Sequence, residues 1–375
     1  MRKALWALLF VSAPALAQYS VRDDLQREVH FDRAPQRVIT LLPSLTETVC
    51  ALGECSRLVA TDRYSDWPRT VAALPKAGGL DDAQVELIVS LRPDVVLLSR
   101  SARVTDRLAQ LGVKTFAIEA KTYDGIAHSV RVVAQVLGVP AKAAPLNEDV
   151  RRGIDALGRE AMKRRSAATA PSVYFEVDAA PYAAGESSFI GELLARLGVR
   201  NIVPAELGPF PKLNPEYVVR YNPDVIFVSP KEASTLAQRP GWAGIRAVQE
   251  RRLCTLSPEE RDTVVRPGPR VVEGMRALKE CLDHGGDHGA RDHGLADDGV
   301  PILHAGRHHG QQALRGTQPQ LDRRRAPGPD ALGLCGLGSG AQLGRHAGVA
   351  HGLVARHLVG GLGRPDRNAG DIHQQ

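Results

Sequence analysis

Two stretches of the sequence decide the fold: VELIVSLRPDVVLL at residues 85–98 and PEYVVRYNPDVIFV at residues 215–228. In each, a glutamate opens a short segment with apolar residues at helical spacing, a Pro-Asp pair breaks it, and an unbroken apolar run follows. Such a run predicts a strand that is buried on both faces of a parallel sheet. The two glutamates, Glu86 and Glu216, are 130 positions apart, and so are the Pro-Asp pairs. We therefore expect two similar α/β lobes rather than a chance recurrence of a common pattern.

Each lobe opens with a strand of its own. Residues 37–42 (RVITLL) form an apolar run, and Ser44 and Thr46 behind it are residue types that cap helices, with Glu47 beginning the helix. Residues 172–177 (SVYFEV) open the second lobe. Strands that alternate with helices predict parallel βαβ units, so the expected fold class is α/β in both lobes.

The stretch between the lobes predicts a linker. Residues 123–168 carry a helical pattern that residues 138–140 (GVP) interrupt, and a long helix can join two lobes in a single crossing. The expected domains are an N-terminal lobe over residues 18–122, a linker helix over residues 123–168 and a C-terminal lobe over residues 169–282.

The first 17 residues (MRKALWALLFVSAPALA) predict a signal peptide. They combine a positive start, a short apolar core and the small-x-small pattern Ala15-Leu16-Ala17, in the order that export signals have. We expect cleavage after Ala17, a mature chain that begins at Gln18, and a periplasmic location. No lipid anchor is expected, because no Cys follows the cleavage site. A buried N-terminal helix is the alternative interpretation.

The composition changes after Leu282. Residues 283–375 contain no Lys, Glu, Met, Phe, Tyr or Trp, and they hold ten of the 12 histidines. A segment without aromatic residues or apolar periodicity does not bury enough surface to offset its chain entropy. We expect this tail to be disordered or to be translated from the wrong reading frame. A metal-binding tail built on the Asp-His-Gly triplets at His284, His288 and His293 is the alternative.

Charge and motifs narrow the function. The net charge of +6 is mild for 375 residues and no Lys/Arg run resembles a nucleic-acid stripe, so a nucleic-acid partner is not expected. Hydrolase, phosphate-loop and zinc-protease motifs are absent, and only His30 and His128 precede residue 283. A hydrolase that uses Ser187 or Ser188 would need a nearby base, which the sequence does not supply. We therefore expect a binding protein rather than an enzyme, without a cofactor or a metal site.

Five cysteines are present, and export permits disulfide formation. Cys50 and Cys55 lie five residues apart near the end of a predicted helix, and Cys254 and Cys281 both fall in the C-terminal lobe. Each pair can form a bridge or remain as buried thiols. Neither pair has the Cys-x-x-Cys spacing of a metal site, and Cys335 lies in the tail.

Aromatic residues on loops are candidate ligand contacts. The loop of residues 61–68 (TDRYSDWP) follows the first strand–helix–strand unit, so it should lie at the carboxyl ends of the strands, where ligands bind in open α/β sheets. Within it, Tyr64 and Trp67 offer flat faces with a polar tip. In the second lobe, Phe210 stands between two prolines in what we expect to be a rigid, exposed turn. A basic loop around Arg266 can hold an acidic ligand group.

Residues 36–282 resemble the periplasmic cobalamin-binding proteins of the helical-backbone metal-receptor superfamily, which also includes haem- and ferric-siderophore-binding proteins. The resemblance rests on PSLTE (43–47), YSDWP (64–68), the Glu86 and Glu216 segments, AGES (184–187) and PGPR (267–270). It implies a class III periplasmic binding protein, in which a Rossmann-like lobe lies on each side of one long interdomain helix and the ligand is clamped between the lobes.

The resemblance also implies roles for single residues. Tyr64 matches a ligand-contacting tyrosine, and Asp66 and Trp67 belong to the same motif. Tyr182 and Phe210 match aromatic contacts, and Arg266 matches a polar contact. Leu80 and Ser99 stand where cobalamin binders carry tryptophans. Glu86 and Glu216 match surface glutamates that dock to arginines of an importer's permease subunits.

The implied function is that of the monomeric substrate-binding protein of an ABC importer, which captures cobalamin or a related corrinoid in the periplasm and delivers it to a permease dimer. The missing rings at Leu80 and Ser99 leave haem or a ferric siderophore as the alternative ligand. An interaction or sensory module on the same fold also stays open.

Overall fold

The computed structural model describes residues 18–164, 170–178 and 182–284. The predicted signal peptide at residues 1–17 lies outside the described residues, and so does the predicted tail from residue 285 onward, with Cys335. Among the residues that are described, no helix is both long and apolar enough to cross a membrane.

The N-terminal lobe is a four-stranded parallel sheet of order β4-β3-β5-β6, preceded by the antiparallel hairpin β1–β2. One apolar cluster fills each side of the sheet. The elements are β1 (Tyr19–Arg22), β2 (Glu28–Phe31), β3 (Val38–Thr40), α1 (Pro43–Ala51), β4 (Leu58–Thr61), α2 (Val85–Ser90), β5 (Val95–Leu98), α3 (Thr105–Gln110), β6 (Thr115–Ala117) and α4 (Tyr123–Val136).

After the interdomain helix α5 (Ala143–Arg164), the C-terminal lobe forms a five-stranded sheet. Strands β7, β9, β10 and β11 pair in parallel, and β8 is antiparallel to β7. The elements are β7 (Ser172–Asp178), β8 (Tyr182–Ala183), α6 (Phe189–Arg196), β9 (Arg200–Asn201), α7 (Pro215–Tyr221), β10 (Val225–Val228), α8 (Pro230–Ala233), α9 (Arg246–Gln249), β11 (Leu253–Thr255), α10 (Pro258–Val265) and α11 (Val271–His284). Helix α11 thus continues two residues beyond the predicted boundary at Leu282.

The two sheets share one topology, which explains the repeat in the sequence. From the first central strand, β3 or β7, the chain moves to one side for β4 or β9 and then to the other side for β5 or β10. The repeated apolar runs are β5 and β10, and every residue in both strands is buried. The predicted pair of α/β lobes with buried parallel strands is confirmed.

The linker differs from the single helix expected over residues 123–168. Helix α4 packs into the N-lobe core through residues such as Val133, whereas α5 reaches the C-lobe core through residues such as Ile154. The break between them contains Gly138 at φ +70, where an added Cβ would lie 2.8 Å from the Cβ of Ala34. Helix α5 alone is therefore the interdomain helix, and its 22 residues span about 33 Å.

The start of α1 also differs from expectation. The helix begins at Pro43, and the residue that precedes it, Leu42, provides no side-chain cap. Thr46 does not cap the helix, because its hydroxyl bonds to Thr40 and Ser65 at 2.6 and 2.7 Å. The first turn of α1 consequently keeps backbone N–H groups that no side chain of this helix satisfies.

Both candidate cysteine pairs form disulfides. Cys50 and Cys55 are bonded at a Cα–Cα distance of 4.2 Å, just beyond α1. Cys254 on β11 and Cys281 on α11 are bonded at 5.7 Å, which ties the edge strand of the C-lobe sheet to the last helix.

Candidate ligand-binding site

A cleft with a cavity volume of about 50 Å³, partly open to solvent, lies between the two lobes. The N lobe lines most of it, with residues 42–45 at the start of α1, Ser99 after β5, residues 118–121 after β6, and Ser129 on α4. Among the described residues of the C lobe, residues 265–267 at the end of α10 line the cleft. Small-molecule sites typically have about 300–1,000 Å³, so the two lobes as they stand do not leave room for a whole large ligand.

The strand order determines where the cleft lies. Strand β3 is followed by β4 on one side and, later in the chain, by β5 on the other. The connections that leave the carboxyl ends of β3 and β5 therefore diverge, and a crevice opens at this switch point, which is where open α/β sheets bind ligands. Leu42 and Ser99, which follow β3 and β5, both line the cleft.

The buried carboxyl of Asp62 fixes the conformation of the loop that carries Tyr64. Asp62 accepts hydrogen bonds from the Tyr64 backbone N–H at 2.8 Å and from the Ser65 hydroxyl at 2.5 Å. Burial raises the pKa of Asp62 to about 6, and these hydrogen bonds oppose the increase. The Ser65 hydroxyl also meets Thr46 on α1, so the loop is fixed to the helix that starts the cleft. Tyr64 consequently lines the cleft from a rigid support.

Arg266 crosses from the C lobe to the N lobe. Its side chain is only 4% exposed, and its Nη1 donates to Glu47 Oε1 at 3.0 Å and to Asp66 Oδ1 at 2.8 Å. Its Nη2 donates to the Tyr64 carbonyl at 3.1 Å and to Asp262 Oδ2 at 2.5 Å. The guanidinium thus joins α1 and the Tyr64 loop of the N lobe to α10 of the C lobe.

Glu47 is the most deeply buried acid in this contact, with 1% of its side chain exposed. Burial raises the pKa of Glu47 to about 7, although Arg266 and Arg270 oppose the increase. Its Oε2 has no hydrogen-bond partner among the described residues. The carboxyl therefore has an oxygen that can carry a proton without breaking the bond from Oε1 to Arg266.

Two more residues of the predicted site join this inter-lobe contact rather than the cleft lining. Asp66 pairs with Arg266, while 66% of its own side chain is exposed. Trp67 lies beneath the guanidinium of Arg270, which is 4.6 Å from the ring centroid. This cation–π contact connects the Tyr64 loop to the first residues before α11.

Polar groups of the N lobe form the floor of the cleft. The Ser99 hydroxyl lies 3.0 Å from the Ser101 hydroxyl and 3.5 Å from Glu119 Oε1. Lys121 Nζ is 3.6 Å from Glu119 Oε2. Ser129 is 4% exposed, and its hydroxyl has no hydrogen-bond partner among the described residues.

Three of the predicted ligand contacts line the cleft: Tyr64, Ser99 and Arg266. Tyr182 does not, because it lies on β8, where it pairs with Asp178 and bridges to Lys212.

The predictions for Leu80 and Phe210 need correction. Leu80 is 5% exposed and belongs to an apolar cluster of the N-lobe core. Phe210 is fully buried, and the expectation that it is exposed was wrong. Its ring packs edge-to-face against Phe189 of α6, with 6.2 Å between the centroids.

The paired glutamates occupy equivalent places in the two lobes. Glu86 lies in the first turn of α2 and Glu216 in the first turn of α7, and both are exposed. Neither forms an ion pair with another residue in the described part of the chain. Each helix directly precedes a central strand of its sheet.

The described residues give no support to the hydrolase alternative. Ser188 is fully buried, and its hydroxyl caps α6 by accepting from the Gly191 N–H at 3.0 Å. His30 and His128 contact Ser20 and Asp24, near the N-terminal hairpin. No group of three or more His, Cys, Asp or Glu residues in the described ranges is placed to hold a metal ion.

Two parallel α/β lobes joined by one long helix, with a cleft between them, define a class III two-lobed binding protein. The sequence profile of the family described as periplasmic binding protein matches residues 38–260. The chain belongs to this family. Membership agrees with the expectation of a binding protein rather than an enzyme.

This chain is similar to several known proteins and to solved structures of the same fold. An uncharacterized ABC transporter substrate-binding lipoprotein of Bacillus subtilis is 26% identical over 310 residues, which cover 75% of this chain and 97% of the relative. The vitamin B12-binding protein of Pectobacterium atrosepticum is 29% identical over 211 residues, 54% of this chain and 76% of the relative. The apo structure of a periplasmic haem-binding protein from Roseiflexus sp. RS-1 has a TM-score of 0.57 at 27% identity, and the match covers 67% of this chain and 99% of that one.

Proposed function

We propose that the chain is the substrate-binding component of an ABC importer and that it captures a corrinoid in the periplasm. The observation that carries the proposal is the inter-lobe cleft, which is lined by Tyr64 from the N lobe and by Arg266 from the C lobe. An aromatic ring and a fixed donor from opposite lobes suit a large ligand with flat faces and polar edges. The relatives named as an ABC transporter substrate-binding lipoprotein and as a vitamin B12-binding protein support this class of function.

Haem is the second candidate ligand. The similarity to a haem-binding protein supports it, and a tyrosine that lines the cleft is a side chain that can ligate ferric iron. However, burial raises the pKa of Tyr64, which disfavours the phenolate that such ligation requires. We rank the corrinoid first because the curated relatives include a vitamin B12-binding protein.

The ligand is tested by titration of the mature protein with cyanocobalamin, haemin and a ferric catecholate, followed by calorimetry and by absorbance. We expect cyanocobalamin to bind at micromolar protein. Tyr64→Ala should weaken that binding by about 1–2 kcal/mol, the loss typical of a packed aromatic ring. Tyr221→Ala is the matched control, because Tyr221 is 47% exposed and does not line the cleft. Absence of heat with cyanocobalamin would remove the corrinoid proposal.

Delivery to the permease is assigned to Glu86 and Glu216. A carboxylate in the first turn of a helix is favoured by the helix dipole, which alone accounts for one such residue. It does not account for an exposed acid in the same place in both lobes. A two-lobed receptor that meets a two-fold permease dimer needs one docking group on each lobe, and exposed acids can pair with basic permease side chains.

Export is also part of the proposal. The chain should reach the periplasm with its first 17 residues removed, so that Gln18 becomes the first residue. N-terminal sequencing of the protein from a periplasmic fraction measures this directly, and an intact Met1 in that fraction would contradict it.

A further inference from the structure

The floor of the cleft contains a hydroxyl that none of the described residues satisfies. Ser129 is 4% exposed, it lines the cleft from α4, and its Oγ has no hydrogen-bond partner among the described residues. A buried polar group without a partner costs free energy, so such groups in native proteins usually meet a water or a ligand. This hydroxyl can either donate or accept.

A second donor in the cleft lining comes from α1. Ser44 lines the cleft in the first turn of this nine-residue helix, where the residue before the helix provides no side-chain cap. The N–H groups of Leu45 and Thr46 both donate to the Leu42 carbonyl, whereas Pro43 has no N–H. The Ser44 N–H is thus the first-turn donor at this wall, and the helix dipole favours an acceptor such as a carbonyl oxygen there.

The floor also presents an acceptor. Glu119 lines the cleft after β6, and its side chain is only 11% exposed. Asp24 accepts from the Glu119 backbone N–H at 2.8 Å, and Lys121 and Ser99 contact the carboxylate oxygens at 3.6 and 3.5 Å. The backbone at Glu119 is therefore fixed, and the carboxylate, whose two contacts are long, can accept from a ligand donor.

The charges around the cleft are balanced rather than positive. Lys121 pairs with Glu119, and Arg266 already contacts Glu47, Asp66 and Asp262. A ligand carboxylate placed on this floor would lie near Glu119 at low dielectric, where like charges repel strongly. A neutral group with both an N–H donor and a carbonyl acceptor meets no such repulsion.

We propose that Ser44, Glu119 and Ser129 form a subsite for a primary carboxamide at the edge of the ligand. The amide nitrogen donates to Glu119, and the amide oxygen accepts from the Ser129 hydroxyl and the Ser44 N–H. The inference rests on the proposed function, because a corrinoid carries primary carboxamides around its ring, whereas the polar substituents of haem are carboxylates. The subsite is thus a determinant of selectivity between the two candidate ligands.

The test compares cyanocobalamin with its monocarboxylic acids, in which one peripheral amide has been hydrolysed, at constant pH. The wild type should bind at least one of the acid isomers about tenfold or more weakly than the amide. Glu119→Gln should reduce this discrimination to about twofold, because the repelling charge is gone while the acceptor remains. Ser129→Ala should weaken cyanocobalamin binding several-fold. Ser90→Ala and Glu28→Gln, which change exposed residues outside the cleft lining, should leave both affinities unchanged.

Equal binding of all acid isomers and the amide by the wild type, or discrimination that survives Glu119→Gln, would overturn the subsite while leaving the corrinoid proposal intact. If the wild type fails to bind cyanocobalamin and binds haemin, the proposed ligand is wrong. The subsite is then tested by comparing the affinity for haemin with the affinity for its diamide. A preference for the diamide that Glu119→Gln abolishes would support the subsite, and equal binding or a preference for haemin would overturn it.

Discussion

Glu47 should make the stability of this protein depend on pH in a direction opposite to that of an ordinary ion-paired carboxylate. The perturbation that tests this is Glu47→Gln, which keeps the shape of the side chain and removes its ionisation. In the wild type, burial raises the pKa of Glu47 from its ordinary 4.5 to about 7. Between these two pH values, the folded protein retains the Glu47 proton while the unfolded chain has released it.

The sign and size of the effect follow from this difference in proton binding. Because the folded state binds more protons between pH 4.5 and 7, the free energy of unfolding falls as the pH rises through that window. A difference between 4.5 and about 7, at about 1.4 kcal/mol per pH unit, gives a fall of about 3 kcal/mol. The glutamine side chain has no proton to lose, so the Glu47→Gln variant should match the wild type near pH 4.5 and exceed its stability by about 3 kcal/mol near pH 8.

The assay is urea unfolding of both proteins, with disulfides intact, at intervals from pH 4.5 to pH 8. Asp62, whose pKa burial raises to about 6, contributes a fall of the same sign, but it is present in both proteins and cancels in the difference. Glu86→Gln serves as control, because Glu86 is exposed on α2, and its difference from the wild type should stay flat. A flat difference for Glu47→Gln, or one that declines with rising pH, would refute the reasoning.

Three further outcomes are expected. Removal of the Cys254–Cys281 bridge, which closes a loop of 27 residues, should lower the free energy of unfolding by about 3–4 kcal/mol. Removal of the Cys50–Cys55 bridge, which closes only five residues, should lower it by about 2 kcal/mol. Urea unfolding measures both losses, and equal losses would contradict the loop-entropy account. Phe210→Ala should lower stability by about 3–5 kcal/mol because the ring is fully buried, and ligand affinity measured on the folded variant should not change. Glu86→Arg combined with Glu216→Arg should abolish uptake in cells while calorimetry gives an unchanged ligand affinity; normal uptake would reduce both residues to helix-end charges.

The lobes could be predicted from the sequence because their signal is local. The two Pro-Asp segments place a short helix and a fully apolar strand in adjacent positions, and the structure has α2 before β5 and α7 before β10. A strand buried on both faces needs apolar residues throughout, so an unbroken apolar sequence is enough to predict that both faces of the strand are buried. The divided linker was also signalled, since Gly138 and Pro140 fall at the break between α4 and α5.

Phe210 shows where local interpretation fails. A ring between two prolines predicts a rigid turn, and rigidity says nothing about which way the ring points. In the structure the backbone of this turn is bound to the rest of the lobe: the Pro209 carbonyl accepts from the Gly185 N–H at 2.9 Å, and the Pro211 carbonyl accepts from the Ala183 N–H at 3.0 Å. These contacts turn the ring inward against Phe189.

Glu47 was missed as a site residue for a related reason. In the sequence it stands in a short helix with small and apolar neighbours, PSLTETVCA, a pattern that indicates only a helix start. Its burial depends on Arg266, which lies 219 positions away, and on the loop behind it. At Gly268 an added Cβ would lie 3.4 Å from the Ser44 carbonyl oxygen, so the C-lobe loop approaches α1 at backbone distance. No pattern within the N lobe reports a contact of this range.

The same contact determines which charges would stay compensated if a ligand displaced the N-lobe contacts of Arg266. Arg266 contacts Glu47 and Asp66 of the N lobe, but it also contacts Asp262, one helical turn earlier on α10. Because this last partner belongs to its own lobe, the guanidinium keeps a counter-charge when its N-lobe contacts are exchanged for a ligand. Glu47 can take up a proton in the same exchange, since burial already raises its pKa to about 7. Neither lobe is then left with a buried, unpaired charge, which is the condition under which a charged contact can open and close at small cost in free energy.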